Sequence, residues 1–266
     1  MNTMHQANRR YWDRATDWWE QLEEEGGLWH RCPTEPHLAF DGGALGLIRE
    51  VAGDMSGRDV CVVGSGDNHA AFAFAGMGAN VTSVDISDRR LAVASRRAEH
   101  MGLPITFIQA DAADLGSIGS GEFDLVFSSN GFFVWIADLP TVFGEIHRIL
   151  RPVGHYVFYD IHPFQRPWKS QVTPIEVAKP YWYTGPFEDD EDGAFEFNWT
   201  LAEILNPLAA TGFTLRQVLE SPADDSRFWQ DYSHLPGTDD SLLDWNENPR
   251  AALPAWLALA SQKPFR

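Results

Sequence analysis

The chain has 266 residues, 44% of them apolar, which suits one large α/β domain with embellishments, or two small ones, around a full core. Acidic residues outnumber basic ones 38 to 20, and the formal charge of −18 repels phosphate backbones and anionic membranes, so neither nucleic acid nor a membrane is an expected partner. Two cysteines, Cys32 and Cys61, offer no disulfide framework, no Cys/His cluster has zinc-ligand spacing, and no metal is expected.

The first residues lack an apolar signal core and no segment approaches about 18 continuous apolar residues, so a cytoplasmic protein is expected. Residues 8–25 read as an amphipathic helix with Trp12, Ala15, Trp18 or Trp19 and Leu22 at helical spacing. That aromatic face is expected to dock on the main domain, with direct ligand contact as the alternative. Residues 26–40 read as loop, with His30 and His37 as surface residues, and residues 44–51 as a helix leading into a sheet.

Residues 59–85 organise the rest of the chain. Val60-Cys61-Val62-Val63 is a short apolar run, the mark of a strand buried on both faces. Gly64-Ser65-Gly66 breaks it, residues 70–77 suit a helix closed by Gly78, and a second strand over 81–84 ends on Asp85. A tight strand-to-helix turn needs dihedrals that glycine reaches cheaply, and a missing Cβ lets a ligand approach the main chain. Asp85 stands 19 residues after Gly66, where a carboxylate accepts hydrogen bonds from ribose hydroxyls. The alternative is a plain tight turn followed by a helix-capping acid.

Ser87 suits an N-cap for a helix running to about His100 and ending at Gly102. Strands are expected at 105–109, followed by Ala110-Asp111-Ala112-Ala113-Asp114, and at 123–127, followed by Ser128-Ser129-Asn130-Gly131. A helix from near Asp138 to Leu150 turns through Arg151-Pro152-Val153-Gly154 into a fifth strand, 155–159, ending in Asp160. This alternation predicts a parallel, doubly wound sheet with ligand across its carboxyl ends. Residues 161–200 are rich in proline and aromatics; residues 181–184 and 194–199 are expected to pair as a hairpin with the acidic run 188–192 near its turn. A helix at 201–210, two strands at 214–220 and 256–261, and a loop between them with a short helix at 239–245 complete the chain.

These residues, in this order, resemble the class I S-adenosylmethionine-dependent methyltransferases. The likeness rests on Gly64-Ser65-Gly66, Asp85, the Ala110-Asp111-Ala112 corner, Phe123-Asp124-Leu125-Val126, and Ile149-Leu150-Arg151-Pro152-Val153-Gly154. It implies a Rossmann-like seven-stranded sheet of order 3-2-1-4-5-7-6 with an antiparallel last strand. It also implies S-adenosyl-L-methionine as cofactor, leaving as S-adenosyl-L-homocysteine. Carried over, Gly64, Ser65 and Gly66 approach the methionine part, Asp85 holds the ribose, Ile86 packs the adenine, and Asp111 with Ala112 meets the adenine amino group. Asn130 and Gly131 face the methionine portion or the acceptor. Val62 stands where the family carries an acid and the third glycine is replaced, so Asp67 or Asn68 is expected to meet the methionine tail instead. The expected organisation is a single methyltransferase domain over 1–266: N-terminal helical extension (1–58), cofactor-binding core (59–160), inserted aromatic-rich cap or hairpin (161–200), and C-terminal helix with edge strands (201–266).

The chain lacks the Asn/Asp-Pro-Pro-Tyr and Pro-Cys signatures after strand four, so a small-molecule acceptor is expected, apolar or aromatic if residues 164–199 cover its site. His162, with Asp160 to orient it, is the candidate general base; both residues also read as turn caps before Pro163, and alignment without any base is a further possibility. Two other functions fit the same fold signals: a non-catalytic S-adenosylmethionine-binding or regulatory protein, and, more remotely, a nicotinamide oxidoreductase.

Overall fold

The computed structural model describes residues 2–169, 174–189, 193–229 and 239–265. Helix α1 spans Thr3–Gly26 and α2 Ala44–Ala52. Strands and helices then alternate: β1 (Asp59–Val63), α3 (His69–Gly76), β2 (Asn80–Asp85), α4 (Asp88–Met101), β3 (Ile105–Gln109), β4 (Phe123–Ser128), α5 (Leu139–Ile149) and β5 (Leu150–Ile161). A short ribbon, β6 (Phe187–Glu188) and β7 (Phe195–Glu196), precedes α6 (Leu201–Ala210), β8 (Thr214–Ser221) and β9 (Trp256–Gln262).

The main sheet runs β3-β2-β1-β4-β5-β9-β8. Strands β1 to β5 pair in parallel, and β9 is antiparallel to both β5 and β8. Numbered within the sheet alone, this is the expected order 3-2-1-4-5-7-6 with its antiparallel strand. The apolar run of β1 is explained by its position: Val60 and Val62 pack with Phe72, Phe74 and Phe127 on one face, while Cys61 and Val63 join Val126, Phe143 and Phe158 on the other. Each face is covered by helices, so neither parity of the strand meets water. Ser87 caps α4 by accepting from the Arg90 N–H, and Thr200 forms a reciprocal capping box with Glu203 at the start of α6. Helix α3 lies so close to the preceding loop that a Cβ on Gly76 would come within 2.0 Å of the Pro33 carbonyl oxygen. No helix among the described residues is long and apolar enough to cross a membrane.

Two local expectations change. The turn expected at 151–154 is a bulge inside β5, with Val153 at φ 62° and a register shift opposite Phe123 and Leu125. The segment after β9 holds it in the sheet, for Val153 N–H donates to Lys263 O and Lys263 N–H to Gly154 O. The ribbon pairs residues 187–188 with 195–196, further along than the expected 181–184, because Asp189 N–H donates to Ala194 O and closes a tighter turn; of the expected pairing, Asn198 N–H donating to Thr184 O remains. The end of the acidic run, 190–192, lies outside the described residues. Between β8 and β9, helical turns form at Asp240–Leu243 and Pro249–Ala252.

Helix α1 docks on the main domain as expected, but only part of its aromatic face, Trp12 and Trp19, turns inward. Trp18 is 58% exposed and Leu22 40%, while His5, Asn8 and Thr16 are buried. The inward stripe is His5, Asn8, Trp12, Thr16, Trp19 and Glu23, a helical spacing carried mostly by polar side chains. Glu23 of that stripe pairs with Arg90 and Arg97 of α4, and beside it the more exposed Asp17 pairs with Arg89 and Glu20 with Arg96.

Candidate functional site at the carboxyl edge of the sheet

The turn after β1 is a compact hydrogen-bonded knot. Gly64 and Gly66 take φ of 67° and 50°, and Asn68 takes 63°. The Gly64 and Ser65 N–H groups both donate to Val84 O, tying the turn to β2. The two glycines face different surroundings: a Cβ on Gly64 would strike the Phe132 ring at 2.3 Å, whereas one on Gly66 would meet nothing within 4 Å. The open main chain is therefore at Gly66. Asp85 sits beside it, its Oδ2 accepting from Gly66 N–H at 2.9 Å and its Oδ1 from Ser87 N–H at 2.9 Å. Burial raises its pKa above the ordinary carboxylate value, and the main-chain donors oppose that shift.

The two polar residues after the turn point elsewhere. Asn68 is fully buried; its Nδ2 donates to Gly66 O, and its Oδ1 lies 2.5 Å from Ser83 Oγ, which also reaches the buried Ser65 Oγ at 2.9 Å. Both Ser65 and Asn68 side chains thus face inward, closing the turn, instead of reaching a ligand. Asp67 binds His69 twice, accepting from its N–H at 2.9 Å and lying 3.0 Å from its Nδ1, so it caps α3. An αL residue at 68 needs a short side chain that bonds its own main chain, and asparagine supplies it.

At the end of β3 the structure departs furthest from expectation. Both oxygens of Asp111 lie against His5 Nδ1, at 2.9 and 3.0 Å, and Oδ1 also accepts from Ala113 N–H. The two side chains are each 2% exposed. Ala137 N–H donates to His5 Nε2 at 2.9 Å, which places the ring proton on Nδ1, facing Asp111. Asn8, one turn along, brackets Phe195 of β7: its Nδ2 donates to Phe195 O and its Oδ1 accepts from Phe195 N–H, with a further bond to Trp135 O. Tyr11 stacks on Trp135. Ile86 is half-buried and Ala112 buried, on either side of this corner.

The ends of β4 and β5 meet at Gly131, φ 81°, where an added Cβ would also meet open space. Asp160 holds that loop, accepting from Gly131 N–H at 3.1 Å, Phe133 N–H at 3.3 Å and Ile161 N–H at 2.7 Å, with Arg166 3.9 Å away. Asn130 is exposed beside it. His162 is not joined to Asp160. It is fully buried on the other side of the strand end, its Nδ1 accepting from Phe164 N–H and its Nε2 facing Glu220 of β8 at 2.8 Å. Adjacent strand residues alternate faces, but His162 lies one past the strand and turns toward β8, so both ring nitrogens are spent on structure. Burial lowers its pKa, and Glu220 opposes the shift.

Sequence reasoning missed His5, Asn8 and Trp135. The signal for the first two was the largely polar stripe 5-8-12-16-19-23, whose polar members apolar periodicity does not detect. A second loop also reaches this edge: the buried Tyr159 hydroxyl donates to Ala39 O at 3.4 Å, and, two residues on, Asp41 has its carboxyl pushed up to about 6 by burial and by Asp224.

The open main chain at Gly66 beside the Asp85 carboxylate fits a nucleoside bound across the turn. The family model described as a methyltransferase domain matches residues 61–158. The chain is 36% identical over 163 residues to the demethylmenaquinone methyltransferase of Thermus thermophilus, covering 59% of this chain and 73% of that protein. It is 26% identical over 164 residues to the ubiquinone biosynthesis O-methyltransferase of Cronobacter sakazakii, covering 62% of this chain and 63% of that one, just under two thirds of its length. An S-adenosylmethionine dependent methyltransferase from Mesorhizobium loti shares the fold with a TM-score of 0.64 and 22% identity, over 84% of this chain and 98% of that one. By sequence, sheet order and the position of its glycine turn, the chain belongs to the class I S-adenosylmethionine-dependent methyltransferases.

Proposed function

We propose that this protein transfers a methyl group from S-adenosylmethionine to a small apolar or aromatic acceptor, in the class of quinone-type rings. The observation that carries this is the pairing of Gly66, whose missing side chain leaves open space, with Asp85 hydrogen-bonded to the same residue. The names of the two relatives point to the ring class. The aromatic loop after β4, with Phe132, Phe133 and Trp135, supports an apolar acceptor beside Gly131.

The cofactor supplies an activated methyl on a sulfonium, ready for in-line displacement. The chain's own residues hold and align. Gly66 admits close approach of the main chain, Asp85 offers carboxylate oxygens to ribose hydroxyls, and Ile86 and Ala112 flank an adenine. Asp160 fixes the Gly131 loop through three main-chain donors, and so positions the wall between donor and acceptor. No base is assigned to His162; alignment and water exclusion carry the reaction.

The test is transfer of label from methyl-labelled S-adenosylmethionine to hydroxylated and reduced quinone rings, with Asp85→Ala as control. Labelled product from the wild type and none from the variant is expected. Cofactor binding without label in any ring acceptor sinks the acceptor class. Absence of cofactor binding sinks the whole proposal.

A further inference from the structure

Helix α1 closes over the corner where the adenine is expected, with His5 laid against Asp111. With α1 docked, the Asp111 side chain is 2% exposed, so no ligand group reaches either oxygen. His5 presents an N–H to that carboxylate, the same donor an adenine amino group offers. Resting on the proposed cofactor assignment, we propose that α1 is a gate on the donor site, in which His5 holds Asp111 in place of the adenine amino group and must withdraw before cofactor binds.

Three observations support a detachable helix. Its seam with α4 is made of ion pairs: Arg90 and Arg97 with Glu23, Arg97 with Glu24, Arg89 with Asp17 and Arg96 with Glu20, besides Ser87 Oγ donating to Asp13. Charged groups that separate regain their hydration, so parting such a seam costs far less than parting an apolar one of equal area. The seam is also imperfect. Among the described residues, Arg90 Nε and Nη1 and Trp19 Nε1 are buried without an acceptor, and lifting α1 returns them to water. Finally, α1 ends in Gly26 and Gly27; a Cβ on Gly26 would meet nothing within 4 Å, while Gly27 takes φ 63° with His30 Cε1 3.1 Å from where a Cβ would lie, so the open pivot is Gly26. The Tyr11–Trp135 stack and the Asn8 bracket on Phe195 tie the same helix to the acceptor-side loops, so lifting it opens donor and acceptor sides together.

The experiment is titration of the full chain with S-adenosylhomocysteine by calorimetry, with association followed by tryptophan fluorescence in a stopped-flow instrument. Removing a competing closed state raises apparent affinity by the inverse of the open fraction, so His5→Ala binds about tenfold more tightly than wild type. The double variant Asp17→Asn/Glu20→Gln leaves the corner intact, loosens the exposed end of the seam, and speeds association several-fold. In the wild type, association quickens as salt screens the seam. Wild-type binding with equal or weaker binding by His5→Ala overturns the gate, because His5 then only orients Asp111. If His5→Ala does not fold, an unchanged association rate in the double variant overturns it. Failure of the wild type to bind at all removes the cofactor assignment itself, and the gate with it.

Discussion

Alanine at Gly64 and at Gly66 should damage different properties, although the two glycines are two residues apart in one turn. Both take positive φ, 67° and 50°, so alanine costs about 1–2 kcal/mol of backbone strain at either. At Gly64 the new methyl would lie 2.3 Å from Phe132 Cδ2 and 2.7 Å from Cε2, inside a ring that is itself buried. Displacing it adds about 1–3 kcal/mol of overpacking. Gly64→Ala is therefore expected to lose about 2–5 kcal/mol and Gly66→Ala about 1–2. At roughly 2–4 °C per kcal/mol, their Tm values differ by several degrees. Affinity for S-adenosylhomocysteine follows the opposite order, since the methyl on Gly66 fills the open space a ligand needs; a loss of about tenfold, or ~1.4 kcal/mol, is expected there. Thermal unfolding by circular dichroism and calorimetric titration measure the two. Equal melting of the variants, or wild-type affinity in Gly66→Ala, refutes the assignment of Gly64 to packing and Gly66 to the ligand.

Gly76→Ala places a methyl 2.0 Å from the Pro33 carbonyl oxygen, a main-chain atom, and should destabilise by about 2–3 kcal/mol, read as a lowered urea midpoint. Asp41 is held protonated more strongly in the native state, with its pKa pushed up to about 6 from 3.8, so the native chain binds more protons between those values. Stability from this group is fully present below about pH 4 and falls as pH rises through 6, by on the order of 1–2 kcal/mol after solvent screening. Asp41→Asn should flatten that slope and raise stability at pH 7.5; a slope equal to wild type shows that Asp41 is not its source. His162→Gln breaks buried hydrogen bonds, lowers stability by about 1–3 kcal/mol and leaves the pH profile of kcat in place. A displaced limb in that profile restores His162 as a base.

The sheet was legible because its signals are local and redundant. Strand β3 and helix α6 lie where periodicity put them, and α4 is bounded by the Ser87 hydroxyl at its start and by the left-handed backbone of Gly102 at its end. The strand order came from resemblance, since no local pattern tells a β9 that inserts between β5 and β8 from one that adds at the edge. What escaped was long-range and polar. His5 and Asp111 are 106 residues apart, and a histidine in the first turn of a helix carries no mark of its partner. The same holds for Asn8 and Phe195, 187 apart. Asn68 misled for the opposite reason: a polar residue beside a ligand turn suggests a ligand contact, yet its αL backbone turned the side chain inward. His162 likewise had a partner on β8, 58 residues away, that nothing nearby announced.

The placement of β9 has a consequence for how the molecule is made. Residues 256–262 fill the slot between β5 and β8 and bond to both, so the sheet stays split until those residues have been synthesised. Before then β5, whose Tyr156 and Phe158 are fully buried in the finished protein, presents an unpaired apolar edge. Closure must draw together segments far apart along the chain, which makes it slow compared with assembly of the β1–α3–β2 unit. The nascent protein therefore passes through a stage in which the apolar strand β5 awaits β9, and a chaperone that recognises extended apolar edges has its target there.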